Sequence, residues 1–166
     1  MTDTSSTHAA KILIVDDQRH IRTLLKQSLR KLADSGVTIL VAENGVEAMR
    51  FIDHEHPALI FLDLMMPDLH GFDVCLLAKS EARYNNPYII VLSARSQTLD
   101  KQMASISGAD EYITKPFDPE TIAARAAAIL HIDLNSTPTA TTAPTSDDPV
   151  PPSMQDAAIR QLPSLA

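Results

Sequence analysis

KILIVDDQ, residues 11–18, reads as a short strand that runs straight into two aspartates. Ile12, Leu13, Ile14 and Val15 are apolar without alternation, the pattern of a strand buried on both faces of a parallel sheet. Such a strand delivers the pair Asp16-Asp17 to the carboxyl edge of that sheet.

Working outward, Ile21, Leu24, Leu25, Leu29 and Leu32 fall at helical spacing, with Arg19, Arg22, Lys26, Arg30 and Lys31 on the other faces. They predict one amphipathic helix stopped by Gly36, and residues 37–41 predict a second strand. Asn44 and Gly45 open a helix with the stripe Ala48, Met49 and Ile52, and Pro57 closes the link to a third strand over 58–62 that ends at Asp63. Residues 66–71 carry the Pro and Gly of a loop, and 72–82 continue as a helix. A fourth strand over 88–92 ends at Ser93. A weaker helix near 97–107, with Leu99, Met103 and Ile106, ends at Gly108, and a short fifth strand over 111–114 meets Lys115-Pro116. Asp118 caps a final helix running to His131, with Pro119 in the first turn, where its missing N–H costs nothing. Ile122, Ala126, Ile129 and Leu130 form its buried stripe.

Strands alternating with helices imply a parallel sheet covered on both faces, because right-handed crossovers are nearly obligatory. The expected fold is α/β: a flavodoxin-like three-layer sandwich, with a five-stranded parallel sheet in order 2-1-3-4-5 and five helices, over residues 10–132. Residues 1–9 read as a flexible N-terminus and 133–166 as a flexible Thr/Pro-rich tail, with prolines at 138, 144, 149, 151 and 152. Within the tail, 154–162 line up Met154, Ala158, Ile159 and Leu162 as a short helix too brief to stand alone.

Composition sets limits on function. The chain of 166 residues has room for one domain of about 100 to 150 residues and a tail. With 45% hydrophobic residues, 4% aromatic and no Trp, its core must be mostly Ile, Leu, Val and Ala. A formal charge of -7 argues against a nucleic-acid surface spread over the domain. Cys75 is the single cysteine, residues 1–9 lack the form of a secretion signal, and no apolar run reaches the roughly 18 to 20 residues that span a bilayer. A soluble protein in a reducing cytoplasm is the expectation. The six histidines lack ligand spacing, and Cys75 among Val74, Leu76 and Leu77 reads as a buried thiol.

In an open parallel sheet, ligands bind at the carboxyl ends of strands beside the switch in strand order, here between the first and third strands. Asp16, Asp17 and Asp63 end those two strands. Carboxylates brought together repel unless a cation joins them, and Mg2+, which binds through one or two carboxylates plus phosphate, suits the set. Ser93 and Lys115 add a hydroxyl and an ammonium at the next two strand ends. A phosphoryl group needs this combination: a carboxylate to attack phosphorus, and metal, ammonium and hydroxyl to neutralise the equatorial oxygens. Each residue alone has a plainer reading: a solvated turn for the acidic pair, a helix cap for Asp63, a backbone partner for Ser93, a surface lysine for Lys115. Their joint placement favours the site.

KILIVDDQ, IFLDLMMPDLHGFDV, IIVLSA and DEYITKPF together resemble the response regulator receiver domain over residues 11–131. Thirty positions separate Asp63 from Ser93 and twenty-two separate Ser93 from Lys115, both usual in that family. The resemblance implies Asp63 as phosphoacceptor, with Asp17, Asp63 and the Met65 backbone carbonyl as direct magnesium ligands and Asp16 as a ligand mostly through water. It implies Lys115 as the phosphate-pairing lysine, followed by a cis peptide to Pro116, and Ser93 with Tyr112 as a switch pair. In that scheme Ser93 hydrogen-bonds to the phosphoryl group and Tyr112 rotates inward. The surface of the helix over 97–107, the strand over 111–114 and the final helix then changes its affinity for partners. A half-buried tyrosine on an edge strand also needs no switching role to explain it. Ala94 leaves the phosphate accessible, and Met65 and Arg95 flank the site where they would tune dephosphorylation.

The implied function is a phosphoacceptor of a two-component or phosphorelay system, not an enzyme beyond its own phosphorylation and dephosphorylation. A histidine kinase or phosphotransfer protein is the donor and an unidentified protein the reader, with no direct nucleic-acid contact, no membrane insertion and room for a phosphorylation-dependent homodimer. The tail is too short for an output domain, which leaves a single-domain regulator, a relay intermediate or the N-terminal piece of a longer protein. Two other classes stand beside this one. A haloacid dehalogenase-type phosphatase wants a second Asp two residues after the nucleophile, where this chain has Met65. An adaptor would keep the fold without using the acceptor residues.

Overall fold

In the computed structural model, which describes residues 9–94 and 108–134, β1 is Lys11–Val15, α1 Arg19–Ser28, α2 Arg30–Asp34, β2 Thr38–Ala42, α3 Gly45–Glu55 and β3 Leu59–Asp63. Then come α4 (Gly71–Ser80), a 3-10 turn (Ala82–Tyr84), β4 (Tyr88–Ser93), β5 (Glu111–Thr114) and α5 (Pro119–Leu130). The five strands pair in parallel in the order β2-β1-β3-β4-β5, as the sequence led us to expect.

Successive side chains on a strand point to opposite faces, so the unbroken apolar runs feed two cores. Ile12, Ile14, Leu59, Phe61, Ile90 and Leu92 face Leu25, Leu29 and Leu32 of the first helical segment and Ile122 and Ala126 of α5. Leu13, Val15, Ile60, Leu62, Ile89 and Val91 face Ala48 and Ile52 of α3 and Val74, Cys75 and Ala78 of α4. The result is a three-layer sandwich, and Cys75 is the buried thiol its neighbours implied.

Local chemistry sets the helix ends. Asn44 caps α3 by accepting from the Glu47 N–H at 2.8 Å, while Glu47 reaches back to the Glu43 N–H at 2.9 Å, a reciprocal arrangement worth about 1 kcal/mol at the cap. Asp118 caps α5 by accepting from Thr121, with Pro119 in the first turn. Gly36, at φ +96°, ends α2: its N–H bonds to the Ala33 carbonyl and the Val37 N–H to that of Leu32, a closure that favours glycine.

The expected single helix over the Ile21 to Leu32 stripe is divided at Leu29. Ser28 Oγ donates to the Leu24 carbonyl at 2.9 Å, a back-bond to the preceding turn that bends helices. α4 starts at Gly71 and stops at Ser80, short of the expected 82, and the 3-10 turn follows. The helix expected near 97–107, the N-terminal residues 1–8 and the tail beyond 134, including 154–162, lie outside the described residues. No helix among the described residues is long and apolar enough to cross a membrane.

Candidate functional site

Asp16 follows directly on β1 and Asp63 is the last residue of β3, and these neighbouring strands carry both to one edge of the sheet. Asp16 and Asp63 are buried; Asp17 is exposed at the mouth. One carboxylate oxygen from each of the three lies within 4.8 Å of the others. The donor set is all oxygen, anionic and partly open, and therefore fits a hard divalent cation rather than a thiolate- or imidazole-seeking one.

Lys115 comes to the same edge from the far side of the sheet. Ser93 pairs with Thr114 in register, and the Lys115 N–H extends the ladder by donating to the Ser93 carbonyl at 2.7 Å. The side chain then crosses to the acidic cluster, with Nζ 2.6 Å from Asp16 Oδ2 and 2.9 Å from Asp63 Oδ2. The Lys115-Pro116 peptide is cis.

Each carboxylate is also held by the main chain. Asp16 Oδ1 accepts from the Gln18 N–H at 2.8 Å and Asp63 Oδ1 from the Met65 N–H at 3.0 Å. Burial pushes the Asp16 carboxyl above its usual range, and the proximity of Asp63 adds to this, against the opposing pull of Lys115 and the Gln18 N–H. Burial works against the Lys115 ammonium, but its hydrogen bonds to Asp16 and Asp63 outweigh it and hold the lysine above its ordinary pKa.

The remaining expected residues are placed as follows. Ser93 is fully buried at the end of β4, next to the Asp63 strand. Tyr112 is half-buried on β5, packed against the α3–α4 core and paired in register with Val91. Met65 is exposed beside Asp63, and Ala94 is exposed after Ser93. Arg95 lies outside the described residues.

Two residues escaped the sequence reading. Arg22, whose spacing puts it off the apolar face of the helix, turns back from α1 so that Nη1 donates to the Asp16 and Asp17 carbonyls at 2.7 and 2.9 Å. The available signal was its place in the first turns of the helix directly after the acidic pair. Gly71, which reads in sequence as loop punctuation, packs so closely that a Cβ there would overlap the Asp63 carbonyl oxygen. A contact between backbones of two segments leaves no trace in local pattern beyond the glycine itself.

A family model described as the response regulator receiver domain matches residues 12–127. Protein PilG of Pseudomonas aeruginosa is 35% identical over 112 residues, 68% of this chain and 81% of its own. The alkaline phosphatase synthesis transcriptional regulatory protein PhoP of Bacillus subtilis is 41% identical over 120 residues, 72% of this chain but 48% of its own, so this chain spans about half of that relative. Among solved structures, the chemotaxis response regulator CheY4 of Vibrio cholerae matches with a TM-score of 0.64 at 28% identity, covering 73% of this chain and 98% of that one.

Proposed function

The chain belongs to the response regulator receiver family, and on that premise we propose that Asp63 takes a phosphoryl group from a phosphohistidine and that partner binding changes in consequence. Receiver domains work with histidine kinases or phosphotransfer proteins, and one of these is the proposed donor. The observation that carries the reading is the convergence of Lys115 on Asp16 and Asp63 beside the exposed Asp17.

In the proposed reaction a carboxylate oxygen of Asp63 forms a bond to phosphorus as the N–P bond of the donor breaks, and the leaving imidazole keeps the electron pair and is protonated. Asp16, Asp17, Asp63 and the Met65 carbonyl would hold Mg2+, which supplies charge neutralisation for the phosphoryl oxygens. Lys115 moves its hydrogen bond from Asp63 Oδ2 to a phosphoryl oxygen, because acyl phosphate formation removes the carboxylate charge that held it. Ser93, at the next strand end, donates to another of those oxygens. Tyr112 then repacks toward the core, altering the surface of the 97–107 segment, β5 and α5.

The receiver domain is taken as 10–132, with the Thr/Pro-rich segment after it as a tail. A cytoplasmic location goes with the proposal and agrees with the single buried thiol of Cys75. A phosphatase reading lacks support, since Met65 stands where such an enzyme would place its general acid.

The test is intact-mass measurement of the full chain after incubation with Mg2+ and acetyl phosphate. One added phosphoryl group, absent in Asp63→Asn and absent with EDTA, is the expected result. Uptake by Asp63→Asn at the normal rate would refute the assignment, and continuous release of phosphate from many small esters would favour a phosphatase.

A further inference from the structure

We propose that Arg22 is a positioning residue for the acidic pair, holding the main chain in the turn that brings Asp16 and Asp17 to one side and so setting the affinity of the site for a divalent cation. The inference rests on the reading of Asp16, Asp17 and Asp63 as the ion's ligands.

Along an extended strand, successive carbonyls and successive side chains alternate between opposite sides. Two consecutive aspartates that simply continued β1 would therefore point their carboxylates apart. Here the Asp16 N–H still pairs with the Ala42 carbonyl of β2 at 3.3 Å, but the next carbonyls depart from the strand pattern. A single guanidinium nitrogen, Arg22 Nη1, donates to both the Asp16 carbonyl oxygen at 2.7 Å and the Asp17 carbonyl oxygen at 2.9 Å, so the two carbonyls face the same side. With the chain broken there, both carboxylates come within 4.8 Å of each other and of Asp63.

The hold is closed on itself. The Arg22 N–H bonds to the Gln18 carbonyl at 3.1 Å, the Gln18 N–H bonds to Asp16 Oδ1 at 2.8 Å, and Arg22 Nη1 returns to the Asp16 carbonyl. On its other side the guanidinium meets Glu43 Oε2 at 3.4 Å, yet Glu43 is 66% exposed and an ion pair in that setting contributes little. The charge-assisted bonds to the two main-chain oxygens are the stronger restraint.

Position and charge make opposite predictions. A cation beside the site repels a divalent ion, so if charge alone mattered, Arg22→Ala would tighten Mg2+ binding. If the guanidinium positions the turn, the same substitution loosens it.

Calorimetric titration of the full chain with MgCl2 separates the two. Arg22→Ala is expected to weaken Mg2+ binding about tenfold, the scale on which outer-shell partners act, and Arg22→Lys to recover to within about threefold of the parent. The Mg2+ concentration for half-maximal uptake from acetyl phosphate rises in step, while the rate at saturating Mg2+ stays within about twofold. Equal or tighter Mg2+ binding by Arg22→Ala overturns the proposal, as does a lost saturated rate with unchanged affinity. Should Arg22→Ala fail to fold, Arg22→Gln is read by the same criteria. A parent chain that binds no Mg2+ instead overturns the metal-site reading itself, which distinguishes the two failures.

Discussion

Lys115 Nζ lies 2.9 Å from Asp63 Oδ2 although the two residues are 52 positions apart in the chain. The same ammonium reaches Asp16 Oδ2 at 2.6 Å, so one cation joins the end of β1, the end of β3 and the segment after β5. The contact ties these three segments together and places a positive charge where the proposed phosphoryl group would arrive.

Lys115→Ala leaves the buried Asp16 carboxylate without that ammonium. Burial already raises the Asp16 pKa, and losing the lysine raises it further. An acid whose folded pKa is raised destabilises the folded state once ionised, so the penalty is full above the folded value and vanishes below the unfolded one, about 3.9. In EDTA the variant should be less stable than the parent by about 3 kcal/mol at pH 7.5. Urea denaturation at pH 7.5 and at about pH 3.5, below the unfolded value, measures it: a gap that narrows at the lower pH is expected, and an unchanged gap would assign the loss to packing.

Gly71→Ala forces a Cβ into the Asp63 carbonyl oxygen, a backbone atom fixed in the sheet. The loop between β3 and α4 must shift, at a cost of about 3 kcal/mol. Thermal unfolding should register the loss, and mass measurement should find slower phosphoryl uptake in the fraction still folded, because the Met65 N–H that holds Asp63 Oδ1 sits on that loop. A variant with parental melting temperature and uptake would contradict this account of the glycine.

Asp118 accepts from both the N–H and the hydroxyl of Thr121, and these bonds hold its carboxyl below the usual range. A depressed folded pKa contributes stability above the unfolded value of about 3.9, lost as pH falls through the folded value. Asp118→Ala should therefore melt below the parent at pH 7, with the difference shrinking as the pH drops under 4. Scanning calorimetry at pH 7 and pH 3 tests the sign.

Ser93 is fully buried at its strand end, two positions beyond Val91, the register partner of Tyr112. Ser93→Ala should slow phosphoryl uptake by no more than about a hundredfold, the scale of one lost donor, while uncoupling the tyrosine. Ring resonances of Tyr112 should move on phosphorylation of the parent and stay fixed in the labelled variant. Equal movement in both would remove Ser93 from the switch.

How much of this was legible in advance depends on the range of each contact. Asp16, Asp17, Asp63 and Ser93 each follow an apolar run and Lys115 follows the short strand over 111–114, so reading these segments as parallel strands already brings all five to one edge. The caps at Asn44 and Asp118 were legible because they involve residues three apart. The division of the first helix at Leu29 was not, since Ser28 is free either to face solvent or to bond back to Leu24, and hydrophobic spacing is the same in both cases.

What the sequence determined by itself was the five strands, their order in the sheet and the edge on which the chemistry gathers. Those follow from periodicity, turn residues and crossover handedness, which are properties of short stretches of chain. Tertiary structure alone decided that Lys115 bonds to Asp16 as well as Asp63, that Arg22 turns inward to two carbonyls, and that Gly71 must lack a Cβ. These depend on distances of a few ångströms between groups on different elements, and such distances exist only once both cores have packed against the sheet.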